Sequence, residues 1–287
     1  MPLPSPLAKL GRLSTGLLGK PRMWGLNALL LALALYAALM LALWVGQERL
    51  IFYPVPLAAG HRFDFGADVH ETWIEVPGAR LNALHLRRPQ PEGVVFFLHG
   101  NSGNLDSWFT NAEFYRHANL DLFMIDYRGF GKSSGRIESQ AQLEADVRAA
   151  WATIAPRYAG QRRVFFGRSL GTALAASMAA ELQPELTVLV SPYESMVSMA
   201  AEHYPWVPRA LLRYPLRTDA ALMQLKHPVL LVHGEGDALI SIRHSERLLL
   251  HAPHARLLRL PGVGHNDVHE SRLYLDELRA ELTGAVR

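Results

Sequence analysis

Arg163-Val-Phe-Phe-Gly-Arg-Ser-Leu-Gly-Thr-Ala-Leu-Ala175 decides the fold. A short apolar, aromatic-rich run (Val164, Phe165, Phe166) meets Gly167-Arg168-Ser169-Leu170-Gly171, and an Ala/Leu-rich helical pattern follows. A G-x-S-x-G pentapeptide between a strand and a helix lifts its serine onto a sharp, strained turn. Side chains two residues before or after that serine would collide with strand or helix, so Gly167 and Gly171 are the residues the turn demands. Ser169 would then stand at the start of a helix, whose dipole favours negative charge developing nearby. Alone, the spacing is a weak signal. Its partners elsewhere in the chain decide.

Acyl transfer through a serine needs a base to take the hydroxyl proton, an acid to orient that base, and backbone donors for the oxyanion. After the apolar run 229–232 come His233-Gly-Glu-Gly-Asp237, which place an acid in a glycine-flanked turn. After 255–260 come Pro261-Gly-Val-Gly-His265-Asn-Asp267, which place a histidine in another. The order Ser169, Asp237, His265 is that of an α/β-hydrolase triad. Upstream, Leu98-His-Gly-Asn101 follows a buried-strand pattern. The N–H of Asn101 is expected to pair with that of Leu170 as the oxyanion hole. Glu194 is a second-choice acid; Glu235 reads as a solvated turn residue, and His99 as a residue that shapes the oxyanion turn.

Outward from the turn, apolar runs at 94–98, 122–125, 164–166, 187–190 and 229–232 read as strands covered on both faces. Segments 72–76 and 81–87 read as a hairpin joined by Pro77-Gly78-Ala79-Arg80. Between them, residues 139–155 set Leu143, Val147, Ala150, Trp151 and Ile154 on one helical face. Later helices are expected at 242–250 and 267–282. This alternation predicts an α/β fold with a doubly wound, mostly parallel sheet. The stretch from Pro192 to Lys226 is long for a crossover and rich in aromatics, Met and Pro, so a small lid is expected at about 192–226. Its Met196, Met199, Tyr204 and Trp206 are candidate substrate-binding residues for an apolar acyl group.

Trp24 to Val45 contains no charged residue, and about 20 such residues span a bilayer as a helix. A cleaved signal would have a shorter apolar run ending in a small-x-small site, which this stretch lacks. The expected organisation is a basic tail (1–23), a transmembrane anchor (24–45), a linker and domain start (46–70), and an α/β domain (71–287). Lys9, Arg12, Lys20 and Arg22 precede the anchor without an acid. The positive-inside rule therefore expects a cytoplasmic N-terminus and a catalytic domain on the outer side. With a chain total of +3, the part after residue 22 carries −1. A nearly neutral domain argues against nucleic acid as a partner.

The chain has no cysteine, which excludes disulfides, thiolate metal sites and a cysteine nucleophile. Gly131-Lys-Ser133 fails as a phosphate loop because Asp126 stands where that motif needs glycine. His251-Ala-Pro-His254 cannot share a helical face across Pro253, and no H-E-x-x-H occurs, so neither metal nor cofactor is expected. A serine nucleophile in place of an aspartate excludes dehalogenase and epoxide-hydrolase chemistry.

Leu98-His-Gly-Asn-Ser-Gly-Asn104, Asp126-Tyr-Arg-Gly-Phe-Gly-Lys-Ser-Ser-Gly135 and Gly167-Arg-Ser-Leu-Gly171 together resemble the α/β-hydrolase superfamily across about residues 48–284. They look most like its N-terminally anchored serine hydrolases, related to the serine aminopeptidase-like and depalmitoylase-like hydrolases. The resemblance implies Ser169 as nucleophile, Asp237 as acid and His265 as base, and a turn-building role for the middle motif. The depalmitoylases have a cysteine-rich tail where this chain has an apolar helix. The expectation is a membrane-anchored enzyme that cleaves an ester or thioester through an acyl-serine, acting on a small or lipid-like acyl substrate. A peptidase of the same fold, or a catalytically inactive binding protein, stays open as an alternative, and so does the oligomeric state.

Overall fold

The computed structural model describes residues 20–284, so most of the expected basic tail lies outside the described residues. The chain divides after Val45 into two compact units. The first contains helix α1 (Lys20–Val45). Within it, Met23–Val45 is 23 residues long, and an 18-residue stretch of it has a mean hydropathy of 2.5, long and apolar enough to cross a membrane. Leu26, Leu30, Leu33 and Leu41 are exposed along it.

In the second unit the strands are β1 (Tyr53–Pro54), β2 (Val69–Val76), β3 (Ala79–Leu86), β4 (Gly93–Leu98), β5 (Ser102–Gly103), β6 (Asp121–Ile125), β7 (Arg162–Arg168), β8 (Leu186–Val190), β9 (Val229–Gly234) and β10 (Ala255–Leu260). The helices are α2 (Gln47–Ile51), α3 (Leu105–Trp108), α4 (Ala112–His117), α5 (Gln140–Ile154), α6 (Gly171–Leu182), α7 (Met196–His203), α8 (Thr218–Leu222), α9 (Arg243–His251) and α10 (Arg272–Thr283). One eight-stranded sheet has the order β10-β9-β8-β7-β4-β6-β3-β2. It is parallel from β10 to β6, while β3 and β2 are antiparallel. The hairpin forms as expected, with Val76 opposite Ala79 and Gly78 at a φ of 75°.

Each central strand is buried on both faces, and alternate side chains feed two separate cores. Phe96 and Leu98 point to the core built with α5, α6, α8 and α9. Val95 and Phe97, their neighbours in sequence, join the core built with α3, α4 and α10. Ser139 caps α5 by accepting the Gln142 N–H at 3.1 Å, and the five residues expected on its inner face are buried. The helix expected at 267–282 is broken by a 3-10 turn, Val268–Glu270, and Ser271 caps α10 afresh.

The chain reverses its winding at β4, with β6 on one side and β7 on the other. Open α/β sheets bind ligands in the crevice at such a reversal, beyond the strands' carboxyl ends. The turns after β4 and β7 meet there.

Two segments differ from expectation. Residues 46–70 were expected as a linker and the start of the domain; the linker part is itself woven into the domain. Strand β1 pairs with β5, the Tyr53 N–H donates to Asn101 O (2.7 Å), and the Val55 N–H donates to Gly103 O (3.2 Å). The segment 192–226 divides in two: α7 carries no buried residue, whereas Tyr214, Leu216, Leu222 and Leu225 belong to the core. The apolar spacing of its second half is core packing.

Candidate active site

Strand β7 ends at Arg168, and Ser169 takes a φ of 50°, the left-handed region that a residue with a side chain enters only under constraint. Its N–H is tied to Val190 O (2.9 Å), and the Thr172 N–H returns to Ser169 O (2.9 Å) to begin α6. A Cβ on Gly167 would stand 2.6 Å from Thr172 Cα, and one on Gly171 would overlap the Leu98 and His99 carbonyls. The glycines are thus required by the closeness of β4, β7 and α6.

The structure brings the three predicted residues together. The His265 Nδ1–H donates to Asp237 Oδ2 at 2.7 Å, and His265 Nε2 accepts the Ser169 hydroxyl at 3.1 Å, a tautomer assigned by the network. Asp237 Oδ1 accepts the N–H groups of Leu239 (3.0 Å) and Ile240 (2.8 Å). Burial raises the Asp237 pKa, but the adjoining His233 imidazole and the hydrogen bonds from His265 and the Ile240 amide outweigh it and hold the carboxyl well below its usual range. The acid is thereby held in its ionised form.

His233 is a member the sequence reading did not assign. Fully buried at the end of β9, it stands 3.4 Å from Asp237 Oδ2. Its Nε2–H donates to Ile240 O at 2.8 Å, and its Nδ1 pairs with the Ser245 hydroxyl at 2.7 Å. It fixes the loop that carries the acid. The only sequence signal was its place at a strand end, four residues before Asp237.

The strap of residues 47–57 holds the other wall. Asn101 donates its side-chain amide to Ile51 O (3.0 Å) while its own carbonyl accepts the Tyr53 N–H. Asn104 donates to Val55 O (2.9 Å) and caps α3 by accepting the Asp106 N–H (3.0 Å). With side chain and carbonyl so occupied, the backbone N–H groups of Asn101 and Leu170 donate to no group among the described residues.

The remaining candidates sort by position. His99 is buried, donates Nδ1–H to Gly100 O (2.8 Å) and does not touch Ser169. Glu194 pairs with Arg247 at 3.3 Å, away from His265, and Glu235 is exposed. In the middle motif, Arg128 forms a buried pair with Asp146 (2.6 Å) and the Ser133 hydroxyl donates to Asp126 O (2.8 Å), so the motif builds a turn. Met196 and Met199 pack on the core, while Tyr204 and Trp206 lie edge to face, 6.3 Å apart, on the exposed surface.

A nucleophile turn, an acid and a base at successive carboxyl ends of a parallel sheet define an α/β-hydrolase. Comparison with known proteins agrees. Residues 89–217 match the family model described as serine aminopeptidase, S33. An uncharacterized protein of Mycobacterium tuberculosis is 34% identical over 255 residues, spanning 84% of this chain and 89% of the relative. Human alpha/beta hydrolase domain-containing protein 17B is 28% identical over 209 residues, 70% of each chain. Among solved structures, a Pyrococcus furiosus esterase superposes with a TM-score of 0.63 at 16% identity, covering 82% of this chain and 96% of the esterase. A thioesterase domain from the curacin biosynthetic pathway gives 0.56 at 15% identity, covering 75% of this chain and 99% of that domain. The chain belongs to the α/β-hydrolase superfamily.

Proposed function

We infer that the chain is a membrane-anchored serine hydrolase that cleaves an ester or thioester through an acyl-Ser169 intermediate. The observation that carries this reading is His265, bonded to Ser169 on one side and to Asp237 on the other. In the reaction His265 Nε2 takes the hydroxyl proton as Ser169 Oγ attacks the acyl carbon. The Asn101 and Leu170 amides receive the oxyanion, and Asp237 stabilises the imidazolium. Collapse expels the alcohol or thiol, which takes the proton from His265. Water, activated by the same histidine, then releases the acid. Met196, Met199, Tyr204 and Trp206 offer an apolar surface to the acyl group.

Met23–Val45 is the anchor in this reading, with the N-terminus cytoplasmic and the domain on the outer side. Retention in the pellet after a carbonate wash, with the domain accessible to protease from outside, is the expected behaviour; release by the wash contradicts the anchor. For the chemistry, a panel of nitrophenyl esters, matched thioesters and aminoacyl amides is the test. Ester or thioester turnover should fall about 10⁴-fold or more in Ser169→Ala. Retained turnover in that variant overturns the mechanism, and turnover confined to the amides supports a peptidase.

A further inference from the structure

A cavity of about 300 Å³ opens beside the nucleophile turn, on the sheet face opposite α5 and α6, and Arg168 lines it. Its floor is apolar, with Phe97 and Phe166 stacked at 4.5 Å. Its rim is polar, with Ser102 and Asn266 among the residues, and no Asp or Glu lines it. The Trp108 ring forms one wall. A Cβ on Gly100 would stand 3.1 Å from that ring and 3.7 Å from Ser169 Cβ, so cavity and nucleophile adjoin across Gly100.

Arg168 is held in place but makes no direct ion pair; Asp237 and Asp267 act on it only from beyond ion-pair distance. Its Nη2 donates to the carbonyls of His265 (3.0 Å) and Asn266 (3.3 Å), and its guanidinium carbon lies 5.6 Å from the centre of the Trp108 ring. Nε and Nη1 donate to nothing among the described residues, and none of the described carboxylates lies within ion-pair distance. Burial lowers its pKa from the usual guanidinium value. A fixed, partly desolvated guanidinium with two free donors is the standard recognition element for a carboxylate or phosphate.

We propose that Arg168 and this cavity form an anion subsite, so that the preferred substrates are acyl esters or thioesters carrying a carboxylate or phosphate close to the scissile bond, with a short apolar segment on the Phe97 and Phe166 floor. The proposal rests on the serine-hydrolase reading for the bond that is cleaved, while recognition of the anion does not require turnover. The charge sits on either the acyl or the alcohol portion, and two substrate pairs distinguish these. One pair is the nitrophenyl monoester of succinate against its methyl-capped diester. The other is butyrylglycerol phosphate against butyrylglycerol.

Binding is measured by calorimetry on the full chain bearing Ser169→Ala, so that nothing is consumed, and kcat/KM on the wild type. In one pair the charged member should bind, and be turned over, about ten- to a hundredfold better than its neutral partner. That preference should collapse when Arg168→Gln is added and survive in part with Arg168→Lys, which keeps the charge and loses the fork. The pair that discriminates assigns the charge to one portion of the substrate. Equal binding of both members in both pairs overturns the subsite. So does an Arg168→Gln effect of equal size on charged and neutral members, which would leave Arg168 only its bonds to the histidine turn. Selective binding of the charged member without any wild-type turnover would retain the subsite and overturn the hydrolase reading instead.

Discussion

Asp237 receives more hydrogen bonds than a triad needs for its charge alone. One oxygen takes two backbone donors and the other takes His265, with His233 at 3.4 Å. These bonds fix the orientation of the carboxylate, and through it that of the imidazole facing Ser169. Asp237→Asn should leave the fold intact and lower kcat by about 10⁴-fold, because an amide selects the wrong tautomer of His265. Steady-state kinetics beside an unchanged circular dichroism spectrum checks this; a loss under tenfold would deny Asp237 its role. The depressed pKa of Asp237 also fixes a sign. Lowering the pH should therefore not switch activity off through protonation of Asp237, whose carboxyl is held ionised below the ordinary carboxylate range. Ser169, Asp237 and His265 were legible because each falls at a strand end, in turns whose glycines mark close backbone approach. His233 was not, because a histidine ending a buried strand has the same pattern whether it is core or a brace.

The elements divide by how much of their logic is local. Strand β4 announces itself by six buried residues in a row, and α5 by its apolar face and Ser139 cap. Strand β1 has two residues, one of them proline, and no period to read. Its structure comes from pairing with β5, residues distant in sequence, and so it looked like linker. Likewise the second half of 192–226 looked like lid because an apolar, proline-rich segment reads alike whether it covers a site or packs in a core. The strap has a consequence for catalysis. Asn101→Ala deletes the side-chain bond to Ile51 O beside the backbone amide proposed to receive the oxyanion. It should lower kcat about ten- to a hundredfold with little change in KM. An effect on KM alone would place the strap's influence on binding. Asn104→Ala removes a cap and the bond to Val55 together, and should cost about 1–2 kcal/mol in chemical denaturation.

At the scale of the molecule, two histidines shape the response to acid. His85 is buried against Tyr158, at 2.5 Å, and burial pushes its pKa down to about 3. His227, half-buried against Thr187, is lowered to about 4. Both are neutral in the fold, whereas in the unfolded chain they take up protons near the ordinary value of 6.5. The stability they contribute is complete above about pH 6.5 and is lost as pH falls toward their folded values, by at most about 1.4 kcal/mol per pH unit for each. Urea unfolding across that range should show the decline, and His227→Gln should flatten it. A decline of equal slope in that variant would contradict the assignment for His227.

The central claim is that Ser169 is a nucleophile activated by His265. Intact-mass spectrometry after brief exposure to a fluorophosphonate tests it most directly. The wild type should gain one adduct, mapped by peptide analysis to Ser169, while Ser169→Ala gains none and His265→Ala reacts at least about a hundredfold more slowly. Folded wild-type protein that takes up no adduct, or an adduct mapped to another residue, would contradict the account.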